Sequence, residues 1–538
     1  MIFEILDRDL AGRIGRLRTK SGTIETPAFF PVISPHKNVI PVEVIKEKYG
    51  LRTIITNAYL VKKFLNESSS PIRDIHEMFN FPYTIMTDSG AYQILVYGAV
   101  SIGPDEVIRV QEALNSDIAV ILDIPTPRAA AYNEALKRVK ETLKNAEISL
   151  KAATREDIIW VGPVQGGKFL DLVEYCAKKI GEMNFQMHGI GGPTQFMEKY
   201  KFDELVDLVV TAKKALPLER PIHLFGAGHP ITLPLLVALG CDTFDSAAYA
   251  IYARDERYMT SRGTIKLSRL HSLPCSCDVC RKMDIEDLKE MSREIRIRYL
   301  AEHNLAVVLQ EMNNIRQAIH EGTLWELIEM RAKAHPQLYQ AVLRLKKYKH
   351  YLEKFDPVVK SKVRGIFYTT SEGLIRPEVT RHVKRLSENV RFPGKRVLLL
   401  LPDPHERPFH ESNYVVKVLR IIEEIAKEKS GEVHECIYCL PFGIVPLELD
   451  EVYPLSQYEK SIFKDLNAES IVLEALNELI KNNDYKTVIF FEKSDDWSNQ
   501  LKMEIMRECK KLNREIKVIW HNDWKRIREV LSETLRAD

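Results

Sequence analysis

Three of the chain's eight cysteines, Cys275, Cys277 and Cys280, fall within the run CSCDVC. Thiolates this close form the donor set of a soft or borderline cation, and zinc completes a tetrahedron with four such ligands. A C-x-C-x2-C loop supplies three, so the fourth must come from a neighbouring element. His303, inside the helical stretch that follows, is preferred to His271, which lies on the chain entering the loop. Four protein ligands leave no open position, so this Zn2+ is expected to be structural. A second pair, Cys436 and Cys439, lies in an apolar run and reads as core thiols. The chemistry is expected at two aspartates, Asp88 in TDSGAYQ and Asp245 in CDTFDSAAYA. Two carboxylates on one rim suit retaining glycosyl chemistry. One attacks an anomeric carbon, and the other serves as acid and base for the leaving group.

The elements that must position these groups are eight apolar runs at 26–32, 51–57, 83–88, 117–123, 159–165, 184–190, 221–226 and 241–245. Amphipathic helical patterns separate most of them, at 104–115, 131–153, 168–181, 202–215 and 230–239. Near-continuous apolar strands alternating with such helices predict a parallel sheet. Eight units in about 250 residues favour a (β/α)8 TIM-type barrel over a doubly wound open sheet. Six of the strands finish on a polar residue: Asn57, Asp88, Asp123, Gln165, His188 and Asp245. A barrel gathers its carboxyl strand ends on one rim, whereas helix capping alone would explain only one or two of these residues. The α/β barrel with its zinc-binding insertion is therefore assigned to residues 1–345. Residues 346–394 form a basic, aromatic-interleaved connector, in which Lys346, Lys347 and Lys349, together with Arg344 just before it, are candidate RNA phosphate contacts. Four further strands alternating with helices assign 395–538 to a smaller C-terminal α/β domain.

At 538 residues the chain is long enough for two or three domains. A net charge of +2 excludes a bulk polycation, so any nucleic acid must meet a local basic face. There is no apolar run of about 18 residues and no leader pattern, so no membrane partner is expected. The scattered thiols fit a reducing, cytoplasmic setting.

Taken in order, TDSGAYQ, ILDIPT, VQGG, HGIGG, LFGAGHP, FDSAAYAIYARDERYM and CSCDVC followed by EHN resemble the tRNA-guanine transglycosylases. RPEVTRH and VPLELDEVYPLSQYE are similar to the archaeal members. The resemblance implies a pentosyltransferase that removes guanine from tRNA, at position 15 of the D-arm, and installs 7-cyano-7-deazaguanine, the first step toward archaeosine. It implies Asp245 as nucleophile, forming a covalent aspartyl-tRNA intermediate, and Asp88 as general acid and base. For the base it implies acceptance of N–H groups by Asp123, a donor amide from Gln165, close backbone approach at Gly189 and Gly191, and stacking on Tyr92. A homodimer is also implied. The terminal run IKVIWHNDWKRIREVLSETLRAD reads as strand then helix, not as the family's PUA module, so grip on the tRNA acceptor end is expected from a separate PUA-type RNA-binding protein or from the basic connector. The C-terminal domain resembles that of archaeosine synthase, but Asp403, Arg407, Phe409 and Val415 replace the motif's Cys, Lys, Tyr and His. Two alternatives follow: an archaeosine-synthase-like enzyme, which would need that lost motif, and a non-catalytic tRNA-binding subunit, in which Asp88 and Asp245 need not both persist.

Overall fold

A computed structural model describes residues 2–68, 74–91, 102–360, 365–388, 391–461, 469–493 and 496–536. The chain divides into two compact units. The first comprises Met1–Tyr348 with Phe355–Lys362, and the second Lys349–Lys354 with Val363–Asp538. The segment read as a connector is thus shared between the two units and carries helices of its own, among them Lys349–Phe355 and Pro377–Glu388.

The first unit opens with an antiparallel sheet that the strand pattern did not reveal: β1 (Phe3–Asp9), β2 (Gly12–Thr19) and β3 (Gly22–Thr26). Its charged residues alternate irregularly with apolar ones, which hides the period. Eight parallel strands follow: β4 (Ala28–Pro31), β5 (Thr53–Asn57), β6 (Thr84–Asp88), β7 (Ile118–Val120), β8 (Ile159–Val164), β9 (Met187–Ile190), β10 (Ile222–Leu224) and β11 (Thr243–Ser246). Each falls on one of the eight apolar runs. They pair in the order β4-β11-β10-β9-β8-β7-β6-β5, and a parallel bridge from Val32 to Ile55 joins the two ends. At that seam Ile33 N–H donates to Ile55 O at 2.8 Å. The hydroxyls of Thr53 and Thr56 donate to the carbonyls of Phe29 and Ile33, each at 2.8 Å. The sheet is therefore a closed barrel, not an open doubly wound one.

Alternation decides what fills the barrel. Phe30, Ile55, Met86, Ile118, Val120, Ile159, Val161 and Met187 form one interior cluster with Phe3, Leu17 and Ile24 of the N-terminal sheet, which closes the floor. Helices cover the outside; Tyr132–Ala152, for example, buries Ala135, Val139, Leu143 and Ala146, a stripe of near-helical period. Two aspartates at the amino ends of strands tie the floor. Asp242 takes a forked pair from Arg13 of β2 (2.6 and 2.7 Å) and the N–H of Ile222 at 2.7 Å. Asp117 accepts from Ile85 N–H at 2.7 Å and from Ser21 N–H at 3.2 Å.

After β11, the hairpin β12 (Arg257–Thr260) and β13 (Gly263–Lys266) precedes the long helix Arg293–Glu321. The second unit pairs β14 (Ile366–Tyr368) with β18 (Tyr458–Lys460). Its main sheet contains β15 (Val397–Pro402), β16 (Val433–Cys439), β17 (Gly443–Pro446), β19 (Thr487–Glu492) and β20 (Glu515–Trp520). The order is β17-β16-β15-β19-β20, and only β17 runs antiparallel. Cys436 and Cys439 are buried free thiols on β16, and their odd spacing puts them on opposite faces. Asp403 follows β15 and pairs with Lys460 (2.6 Å) and Arg407 (3.1 Å), while Ser412 caps the helix Asn413–Ala426.

Replacing Arg13 by Leu strands the buried Asp242 carboxylate without its partner. Loss of one member of a buried pair costs about 3–5 kcal/mol. Urea unfolding, followed by a probe in the first unit, should register that loss. A change below about 1 kcal/mol would show that backbone donors alone satisfy Asp242.

Candidate active site

The carboxyl rim of the barrel gathers Asp88 from the end of β6, Asp245 from β11, Asp123 just past β7 and Gln165 just past β8. Parity accounts for two of them: Met86 faces inward, so Asp88 does too, and Val161 likewise sets Gln165 inward, whereas Asp123 lies three residues past the inward Val120, beyond the regular strand. His188 is the exception among the six polar strand ends. Its neighbour Met187 faces the interior, so the buried His188 ring faces the helix layer, where desolvation and nearby cations hold it down to about 3.

Burial drives the carboxyl of Asp88 up to about 7, aided by the negative charges of Asp123 and Asp245. Among the described residues its Oδ2 accepts long bonds from Gly90 N–H at 3.3 Å and Asn57 Nδ2 at 3.4 Å. Desolvation likewise raises Asp123 to about 6, despite a 2.6 Å bond from the Gln165 amide. Gln165 Oε1 accepts from Thr126 N–H at 3.0 Å, so the amide is oriented from both ends. Asp245 is held at Oδ1, by Gly226 N–H at 2.8 Å and by His223 Nε2 at 3.0 Å.

The glycines have packing reasons of their own. A Cβ on Gly191 would lie 2.1 Å from Gln165 Nε2, and one on Gly189 would lie 2.5 Å from the Phe225 ring. Both gaps are therefore filled by neighbouring side chains of the rim. Tyr92 lies outside the described residues. His223 and Phe225 are rim residues that motif reading passed over. The signal was in PIHLFG, where both share the inward face, and in the register that sets His223 opposite Thr243.

Cys275, Cys277, Cys280 and His303 place one ligand atom each within 4.8 Å of the others, a set that could hold a metal ion. His303 Nδ1 lies 3.5 Å from both Cys277 Sγ and Cys280 Sγ, while Nε2 is 2.9 Å from the carbonyl of Met259 on β12. A proton on Nε2 donated to that carbonyl leaves the Nδ1 lone pair free for the ion. Tyr258 stacks on the imidazole with ring centroids 3.6 Å apart. His271 is exposed and outside this set. The residues flanking His303 fasten the same helix. Glu302 pairs with Lys48 at 2.6 Å, and Asn304 accepts Met259 N–H at 2.8 Å.

The basic residues read as phosphate contacts are largely occupied. Arg344 and Lys347 pair with Asp207 at 2.6 and 3.4 Å, and Lys349 pairs with Glu474 at 3.1 Å. Lys346 is exposed. No helix among the described residues is long and apolar enough to cross a membrane.

The chain also matches known protein families. The queuine tRNA-ribosyltransferase family matches residues 8–337, and a domain family of unknown function, DUF5591, matches 379–533. The chain is 42% identical over 463 residues to a tRNA-guanine(15) transglycosylase of Pyrobaculum aerophilum, covering 85% of this chain and 90% of that protein. It is 41% identical to a protein of the same name from Sulfolobus acidocaldarius, over 90% of this chain and 94% of the other. With the one from Methanothermobacter thermautotrophicus it shares 40% identity, over 89% of this chain but 71% of that longer protein.

Two outcomes test the geometry. The ordinary value of an aspartate is 3.8 and that of Asp88 is about 7, so the folded chain keeps a proton that the unfolded chain releases. This contribution to stability is full below 3.8 and is lost as pH rises through 7. Asp88→Asn should therefore be more stable than wild type by about 1–2 kcal/mol at pH 8, with the gain vanishing toward pH 4. An equal gain at both pH values would contradict the assigned cause. Cys277→Ser should lower metal content below one ion per chain by elemental analysis; unchanged content would refute the ligand set.

Proposed function

The chain belongs to the queuine tRNA-ribosyltransferase family, and from that premise we propose that it exchanges guanine 15 of tRNA for 7-cyano-7-deazaguanine. The observation that carries the proposal is one mouth holding Asp88, Asp123 and Asp245 together, on a barrel whose relatives are named tRNA-guanine(15) transglycosylase. The target base must first leave its stack to reach such a mouth. Asp245 then attacks the ribose anomeric carbon and expels guanine, giving a glycosyl ester. Asp88 protonates the departing base and later takes the proton of the incoming one. A carboxyl raised to about 7 suits both duties near neutral pH. Asp123 accepts the N–H groups of the purine-like edge. The Gln165 amide, now donating to Asp123, can turn one N–H to the base carbonyl.

The Cys275, Cys277, Cys280 and His303 cluster is proposed as a structural zinc site. Zn–S near 2.3 Å and Zn–N near 2.0–2.1 Å in a tetrahedron require S···N separations of about 3.5 Å, and the two closest here are 3.5 Å. With four protein ligands the ion supplies cohesion between the cysteine loop and the long helix, and takes no part in base exchange. The reading is completed by a cytoplasmic location, a homodimer, and a separate PUA-type protein gripping the tRNA. An archaeosine-synthase-like activity is disfavoured, because Asp403 and Arg407, at two of the motif's reactive positions, pair with each other, and Asp403 also pairs with Lys460.

Labelled guanine and unmodified tRNA test the proposal. Wild type should incorporate label, and Asp245→Asn should lose at least about 10³-fold of the rate. Undiminished exchange in the variant would reject Asp245 as nucleophile.

A further inference from the structure

The carboxylate assigned as nucleophile is held by one oxygen. Gly226 N–H and His223 Nε2 both bond Asp245 Oδ1, and among the described residues no donor reaches Oδ2. His223 Nδ1 lies 2.9 Å from Thr243 Oγ1. A hydroxyl proton given to Nδ1 selects the Nε2–H tautomer, the neutral form able to donate to Asp245. The ring has no exposed surface and meets Phe30 and Phe225 edge-on, at 6.2 and 4.6 Å, so it is held in place.

We propose that His223 is a positioning residue that acts chiefly on the second half of the exchange, a role that rests on the double displacement above. In the first displacement an Oδ2 lone pair forms the bond to C1′, and the C1′–N9 pair leaves with guanine as Asp88 gives its proton. The carboxylate loses its charge, and Oδ1 becomes the ester carbonyl. In the second, N9 of the incoming base bonds C1′, the C1′–Oδ2 pair returns to the carboxylate, and Asp88 takes the N9 proton. Charge grows on the aspartate only in this second step, so donors fixed on Oδ1 favour it and oppose the first. Removing the His223 donor should slow ester breakdown more than ester formation.

The test uses the full chain, unmodified tRNA and 7-cyano-7-deazaguanine, quenched in denaturant and resolved on denaturing gels for the protein–tRNA adduct. His223→Phe keeps a ring and removes the donor. Its turnover should fall about tenfold, and its adduct fraction should rise several-fold above wild type. His223→Gln, which restores an N–H, should return the partition toward wild type. Thr243→Val, which releases the tautomer, should lie between. Slower turnover with a wild-type adduct fraction in His223→Phe would overturn the inference. If that variant fails to fold, an unchanged fraction in Thr243→Val overturns it instead, and a raised one supports it. Absence of any adduct in wild type, with Asp245→Asn still exchanging, would instead reject the double displacement itself.

Discussion

Three carboxyl groups confined to one desolvated mouth are the constraint on which the rest of the molecule turns. Asp88, Asp123 and Asp245 come from three different strands; Asp88 is half-buried and Asp123 buried, and desolvation raises both carboxyls. Such groups repel one another and lose hydration, so the arrangement opposes folding. It persists because the barrel beneath is closed and densely filled. A parallel barrel has one rim at which all carboxyl strand ends meet, and this geometry alone concentrates acids so far apart in sequence.

The opposite end of the same strands uses the same residue type for the opposite purpose. Asp117 and Asp242 sit at amino ends, where backbone N–H groups and Arg13 saturate them. Among the described residues the rim acids have few side-chain partners: Asp88 takes two long bonds, Asp123 the Gln165 amide, and Asp245 is held on one oxygen. Saturated carboxylates hold structure, and under-saturated ones keep lone pairs open to other partners. The cysteine cluster stands apart from both. Beside it, three consecutive residues of the helix Arg293–Glu321 have separate partners: Glu302 pairs with Lys48, His303 meets the sulfurs, and Asn304 holds the hairpin backbone.

Much of this was legible along the chain. All eight barrel strands coincide with apolar runs, because a parallel strand buried on both faces must be apolar throughout. Spacing alone bounded the cysteine loop. The N-terminal sheet escaped notice because FEILDRD is only partly buried and its charges break the period. Strand ends were read as one class, yet His188 turns outward by alternation while Asp88 and Gln165 turn inward. The basic run around residue 346 looked free in sequence, where Asp207 is distant; in space Arg344 and Lys347 share that aspartate.

By itself, then, the sequence determined the α/β barrel, the thiol cluster and the identity of the rim acids, since each is written in local period, spacing or motif. Only the tertiary structure decided which histidine completes the cluster and which one holds Asp245. His303 and His271 differ little as letters near CSCDVC, but one Nδ1 lies 3.5 Å from two sulfurs and the other ring is exposed. His223 reads as an ordinary residue within an apolar strand. It acquires a role because parallel register and inward parity set it beside Thr243 and beneath Asp245. The contact of His303 with the sulfurs and that of His223 with Asp245 are both through-space relations between residues about 20 or more apart, and only the folded chain brings them together.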